Sequence, residues 1–238
     1  SAKRSANKYE LRFSNIESRV NDMIVVPIYD MIILPGVTFY FKQDVFQELE
    51  IEDVKEGEEL IFLYQKEDKE RQSLTAEDFY PIGVEGKVEG IDRDGNINVR
   101  TFHRVDIHNI EVTEGNISLE AVNRDEIEDI DAQECQMRFE KMRTSLLRFA
   151  QGFQWGVWAR SYILHWKSIS EVVSALSSYL NLTNEERYQI VETDVLSQRI
   201  EKMEHAVYEF IEVTRVGEEA ENAQQERHEK VYREDAIK

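Results

Sequence analysis

Cysteine and proline are scarce in this 238-residue sequence, with one and three respectively, and no long apolar run occurs. A lone Cys135 closes no internal disulfide and has no neighbouring cysteine with which to hold a metal. It is read as a half-buried helical thiol in a reducing compartment. A bilayer-spanning helix needs about twenty apolar residues, which the sequence never supplies, and the opening SAKRSANKYELRF lacks the apolar block of a secretory signal. A soluble, cytoplasmic protein is expected. Positive charge is also short: 29 Lys and Arg stand against 48 Asp and Glu, a net charge of −19. A nucleic-acid binder draws affinity from neutralising phosphates, and no tight basic cluster offsets this excess, so neither nucleic acid nor an anionic membrane is expected as a partner.

Motifs of catalysis are missing as well. There is no G-x-x-x-x-G-K-[ST] loop to cradle phosphate, the nearest fragment being Gly86-Lys87-Val88, and no G-x-S-x-G elbow or H-E-x-x-H zinc pair. The histidines (His103, His108, His165, His205, His228) are dispersed, and acidic pairs such as Glu126 and Glu128 read as solvated surface. The chain is therefore expected to carry no catalytic, cofactor-binding or metal-binding residue.

What is present begins with Val25 to Phe41, VVPIYDMIILPGVTFYF, where β-branched and aromatic residues crowd both sides of Pro35-Gly36. The pattern reads as a strand, a turn and a second strand forming an opening hairpin, with Met31 to Leu34 in the core. Val45, Phe46, Leu49 and Ile51 suit a short helix over 43–54, with Asp44 at its start, and Glu59 to Tyr64 reads as a buried strand. A charged loop from Lys66 to Asp78 follows. In Tyr80 to Ile91 the apolar positions interleave with Gly83, Gly86 and Gly90, the mark of bulges and close backbone approach in a small barrel. Asp94-Gly95 then turns into a strand whose alternation predicts Ile97, Val99, Thr101, His103, Val105 and Ile107 on one face. A last hairpin turns at Glu114-Gly115-Asn116. The whole favours a small β-barrel over a parallel α/β sheet.

The character changes near Asn123. No proline occurs from Asp125 onward, and apolar residues return at helical spacing. A helix is expected over 129–150, with Met137, Met142, Leu146 and Phe149 buried and Gly152 as its stop. Ser168 with Glu171 and Thr183 with Glu186 have capping-box spacing, and Asp194 is placed to cap a third start. These give helices over 170–180, 184–191 and from 195 onward, the last with Leu196, Ile200, Met203, Val207 and Phe210 on one stripe. Beyond Val216 the sequence is helix-friendly but polar all round, as in a helix that projects, pairs with a copy or leads into a further module.

Between the first two helical regions lies Phe149 to Trp166, FAQGFQWGVWARSYILHW. Its tryptophans, Trp155, Trp158 and Trp166, have two readings. Large aromatics usually end up buried, which places them in a seam between helices or against the barrel. The sharper reading makes Phe153, Trp155, Trp158 and Tyr162 an exposed platform that grips apolar segments of other proteins, and these four are the candidate site residues.

The order of these parts resembles the N-terminal, substrate-recognition domain of the Lon ATP-dependent proteases. The resemblance is carried by Pro27, Asp30 and Pro35-Gly36; by Tyr80-Pro81-Ile82-Gly83-Val84 and the Asp94-Gly95 hairpin; by Tyr179-Leu180-Asn181-Leu182 with Glu185-Glu186; by Asp194-Val195-Leu196 to Arg199-Ile200; and by Gln224-Gln225 to Ile237-Lys238. Tyr29, Thr101-Phe102 and Glu234-Asp235 depart from the family pattern. The resemblance implies an α+β fold: a small PUA-like β-pseudobarrel followed by a helical bundle with a long C-terminal helix. It divides the chain into an arm over 1–22, the barrel over 23–122, the bundle over 123–216 and a polar helical extension over 217–238 towards an ATPase module absent from this sequence. It further implies binding of unfolded or tagged protein substrates and assembly with other copies in a hexamer. ATP, Mg and Ser-Lys peptidase chemistry would belong to other modules of the parent enzyme. Two rival readings are a stand-alone scaffold dimerising through the C-terminal helix, and RNA binding by fold analogy, which the acidity opposes.

Overall fold

The computed structural model describes residues 23–48 and 54–236. Residues 1–22, Leu49, Ile51 and the last two residues, for which the sequence also carries expectations, lie outside the described residues. Six strands form one curled sheet, and six helices follow or interrupt it among the described residues, an α+β half-barrel with helices. The strands are β1 (Ile24–Ile28), β2 (Thr38–Phe41), β3 (Glu59–Tyr64), β4 (Ile82–Ile91), β5 (Ile97–Thr113) and β6 (Asn116–Arg124). Helix α1 (Gln43–Glu48) follows β2, and α2 (Ala132–Ala150), α3 (Gly156–His165), α4 (Ile169–Ala175), α5 (Asn184–Glu192) and α6 (Leu196–Ala236) follow β6.

The strand order β1-β3-β4-β5-β2, with β6 also on β5, corrects the expected opening hairpin. Strand β1 runs parallel to β3 and β2 antiparallel to β5, so the two lie at opposite ends of the sheet. Residues 29–37 cross between them, with Ile32, Ile33 and Leu34 fully buried and Met31, expected in the core beside them, exposed. Buried backbone outside a ladder needs other partners. Side chains supply them: Ser177 Oγ and Tyr64 OH accept from the amides of Ile32 and Ile33, and Thr101 Oγ1 donates to Leu34 O while accepting from the Val37 amide, at 2.6–3.0 Å.

The glycines of β4 act as expected. The register with β5 shifts at Glu85/Gly86 and Val88/Gly90, and a Cβ on Gly83 would stand 2.6 Å from Phe62 O. Strand β5 runs unbroken through what reads in sequence as two strands, and the expected alternation along it fails at one point. Opposite Glu85/Gly86, β5 carries an extra residue near Phe102 and His103, which turns the faces over. Ile97 and Val99 pack into the core under the helices, whereas Val105 and Ile107 join a second cluster on the opposite sheet face with Ile61, Leu63 and Leu119. His103 is exposed, and Arg104 points inward, 2% exposed.

The main core is continuous from sheet to helices: Phe62, Tyr64, Val84 and Val99 belong to one cluster with Phe139, Met142, Val191 and Val207. In α2 the N-cap is Asp131, and Phe139 takes a buried place while the predicted Met137 is exposed. Phe149 is only partly buried and Gly152 has no left-handed φ, so α2 ends without a glycine cap. Segment 156–165, unassigned from sequence, is helix α3. Gly156 lets it start directly over the end of α2, because a Cβ there would lie 1.8 Å from Ala150 O. Helix α4 stops at Ala175, short of the expected Leu180. The chain beyond it wraps the Arg187 guanidinium, which donates to the carbonyls of Ser177, Leu180 and Leu182. The Thr183/Glu186 capping box forms as read, and Ile200, Met203 and Val207 are buried on α6. The expected cap from Asp194 does not form; Asp129 instead accepts from the Ser197 amide at 2.9 Å.

Candidate functional site

Two places gather aromatic and cationic side chains: the seam between sheet and helices, and the outer face of α3. At the seam, Asp194 accepts from Arg104 Nη1 at 2.8 Å and from Arg124 Nε and Nη2 at 2.8 and 2.7 Å. Arg124 also pairs with Asp106 at 2.8 Å, and Arg104 donates to the carbonyls of Val191 and Asp125. The two guanidinium groups, Arg124 foremost, hold the Asp194 carboxyl down at about 2. Beside them Tyr188 stacks on Tyr80 with centroids 3.9 Å apart, and its hydroxyl accepts from the Ile82 amide. Burial pushes the Tyr188 and Tyr64 hydroxyls well above the usual phenol range. Arg187 pairs with Asp30 at 2.7 Å, and Asn184 bridges the Asp30 amide and Gln65 O. This chemistry is saturated by internal partners, and its work is to lock α5 to the sheet.

The α3 face is built the other way. Gly156 and Ile163 are buried and Ala159 half-buried, so the opposite side of the helix meets solvent. Trp158 is 67% exposed, Tyr162 53% and Val157 87%; Trp155, preceding the first turn, is 46% exposed. Trp155 and Trp158 are thus exposed, while Trp166 alone of the tryptophans packs against the core. The four candidate residues form two pairs: Phe153 stacks on Trp155 and Trp158 meets Tyr162, each with centroids 4.5 Å apart. Phe149 touches Phe153, Trp155 and Phe210, and Phe210 meets Tyr179, extending the aromatic ribbon across to α6. Next to it lies a groove of about 630 Å³ between the end of α2 and α6, lined by Phe149, Phe153, Tyr208 and Ile211.

Sequence reasoning missed Val157, Leu164 and Tyr179 on this surface. The signal for the first two was the heptad-like interval of seven between Val157 and Leu164, matching that between Trp155 and Tyr162. The surface gathers apolar side chains left in water, and among the described residues it brings together no nucleophile, base and oxyanion donors. Among the described residues no group of three or more His, Cys, Asp or Glu is placed to hold a metal ion, and no helix is long and apolar enough to cross a membrane. The Cys135 thiol is raised above its ordinary range by burial.

Residues 22–207 match the family model of the ATP-dependent protease La (LON) substrate-binding domain. Lon protease of Clostridium beijerinckii is 23% identical over 189 residues, covering 78% of this chain and 24% of that protein, so the match spans about a quarter of the relative's length. Among solved structures, the N-terminal domain of Mycobacterium avium complex Lon protease is 19% identical, covering 79% of this chain and 98% of that one with a TM-score of 0.49. The Lon N-terminal domain protein of Xanthomonas campestris is 14% identical, covering 77% and 97% with a TM-score of 0.42. With the family model matched over most of its length, the chain belongs to the Lon protease substrate-binding domain family.

Proposed function

We propose that this chain recruits unfolded or tagged protein substrates for a Lon-type ATP-dependent protease, and that it does so through the outer face of α3. The observation that carries the reading is the exposed set Trp155, Val157, Trp158 and Tyr162, large side chains left in water on a helix whose other side is well packed. One such face offers little area, so affinity per copy is weak, and arraying copies in a hexamer raises it through effective concentration. In this reading peptide-bond cleavage and the ATP and Mg that drive it belong to other modules of the parent protein, and the compartment is the cytoplasm.

Fluorescence anisotropy of a labelled, permanently unfolded protein titrated with this chain tests the proposal, with the same protein folded as control. Binding to the unfolded form alone, reduced at least tenfold by Trp158→Ala with Tyr162→Ala, is the expected result. Unchanged binding in that double variant would remove α3 from the account.

A second reading has its own observation. Beyond Val213 the described side chains of α6 are exposed apart from the half-buried Thr214 and Glu218, with Val216 and Val231 at 51% and 56%. That helix would serve a dimeric scaffold. Light scattering over a range of concentrations separates the two: a tight dimer abolished by deleting 217–238 favours the scaffold.

A further inference from the structure

The charge along the stretch that contains α3 runs against that of the rest of the sequence. Asp and Glu make up about one residue in five of the chain, yet none occurs from Lys141 to Ser170, a stretch that holds Lys141, Arg143, Arg148, Arg160 and Lys167. Arg160 and Lys167 are exposed and have no ion-pair partner among the described residues. Arg148 and Lys167 are different: Arg148 lines the groove that also carries Glu212, Glu218 and Glu219 of α6, and Lys167 lines a separate pocket that also carries Glu128. Arg160 is therefore the open cation of this surface.

Their placement relative to the apolar residues follows from helical spacing. With Gly156 and Ile163 turned inward, Trp155, Trp158 and Tyr162 form one flank of α3 and Val157, Arg160 and Leu164 the other, with Ser161 and His165 along the crest. A segment lying across the helix meets aromatic rings on one side and an unpaired guanidinium on the other.

We infer that the α3 surface prefers client segments in which aromatic or aliphatic residues are accompanied by Asp or Glu. This rests on the reading of α3 as the client-binding face and adds the charge class of the client. The flanks lie about 10 Å apart across a helix, which an extended chain spans in about three residues. The acidic residue therefore stands about three positions from the aromatic one. The net charge of −19 does not reverse the preference at physiological salt. Charges more than about 8 Å away are largely screened, whereas a carboxylate seated on α3 meets Arg160 at contact distance.

The test uses the whole chain and three labelled peptides that share the same aromatic and aliphatic residues, with Asp, Asn or Lys three positions away. Anisotropy is expected to show the Asp peptide bound roughly two- to fivefold more tightly than the Asn peptide, as one exposed ion pair allows, and the Lys peptide most weakly. The preference should shrink in about 1 M salt, where the screening length falls to about 3 Å. Arg160→Gln should erase discrimination while leaving the Asn peptide bound as before. Equal binding of all three peptides, or preference for Lys, overturns the inference and leaves the α3 face as the client site. Binding of none overturns both. A single-stranded oligonucleotide that binds with the same dependence on Arg160, and displaces the Asp peptide, would assign the basic flank to phosphate instead.

Discussion

Arg187 and Arg160 are the same residue put to opposite use, and so are Tyr188 and Tyr162. At the seam Arg187 is buried, with its donors on three carbonyls and a carboxylate, and Tyr188 is stacked and hydrogen-bonded. On α3 Arg160 has no ion-pair partner among the described residues and Tyr162 is half in water. The contrast separates what holds the fold from what is left available. A saturated cluster has nothing to offer another molecule, whereas an unsaturated one contributes little to stability and keeps its interaction energy for binding.

Four substitutions or conditions probe this contrast, in falling order of their effect on stability. Arg187→Met strips the donors from buried carbonyls at Ser177 and Leu180, and urea denaturation should show a loss of about 3–5 kcal/mol. A loss below about 1 kcal/mol would mean that the seam is not saturated as described. Gly156→Ala acts on the mount of the platform: its Cβ would collide with Ala150 O, so α3 must shift, at a cost of about 1–3 kcal/mol. Client affinity should fall with it, although no contact residue is changed.

Acid comes next. The Asp194 carboxyl titrates near 2 in the fold against an ordinary 3.8, so its contribution is present above about pH 4 and is lost as pH falls through 2. Allowing for solvent screening of a one-third-exposed side chain, this amounts to about 1–2 kcal/mol. Denaturation midpoints measured between pH 5 and pH 2 should fall more steeply in the parent chain than in Asp194→Asn. The smallest effect belongs to the platform: Trp158→Ala should shift stability by less than about 0.5 kcal/mol while weakening client binding several-fold. A large stability loss there would erase the distinction between the two regions.

Much of the fold was legible where the signal is local. The glycines of β4 announced their bulges, Thr183 and Glu186 their capping box, and the Ile200, Met203, Val207 stripe the buried side of α6. Non-local pairing was less so. Pro35-Gly36 looks the same whether the strands around it join each other or, as here, part to opposite ends of the sheet, because the partner of β2 is β5, sixty residues on in register. Nothing in the alternation of β5 betrays the extra residue near Phe102 that turns Arg104 inward. Asp194 read as a cap because its partners, Arg104 and Arg124, lie 90 and 70 residues away. For the candidate site, composition singled out the aromatic residues, but whether Trp155 and Trp158 face in or out depends on which side of α3 meets the core. Gly156 and Ile163 decide that, and neither is conspicuous in the sequence.

Helix α6 has a mechanical consequence. Its buried residues Ile200, Met203 and Val207 sit in the first third of a rod of 41 residues, about 60 Å long. It is a cantilever clamped at one end. A tilt of about 10° at the clamp carries the far end of the rod through about 7 Å, so a rearrangement of about 1 Å among those core side chains is amplified several-fold along the helix.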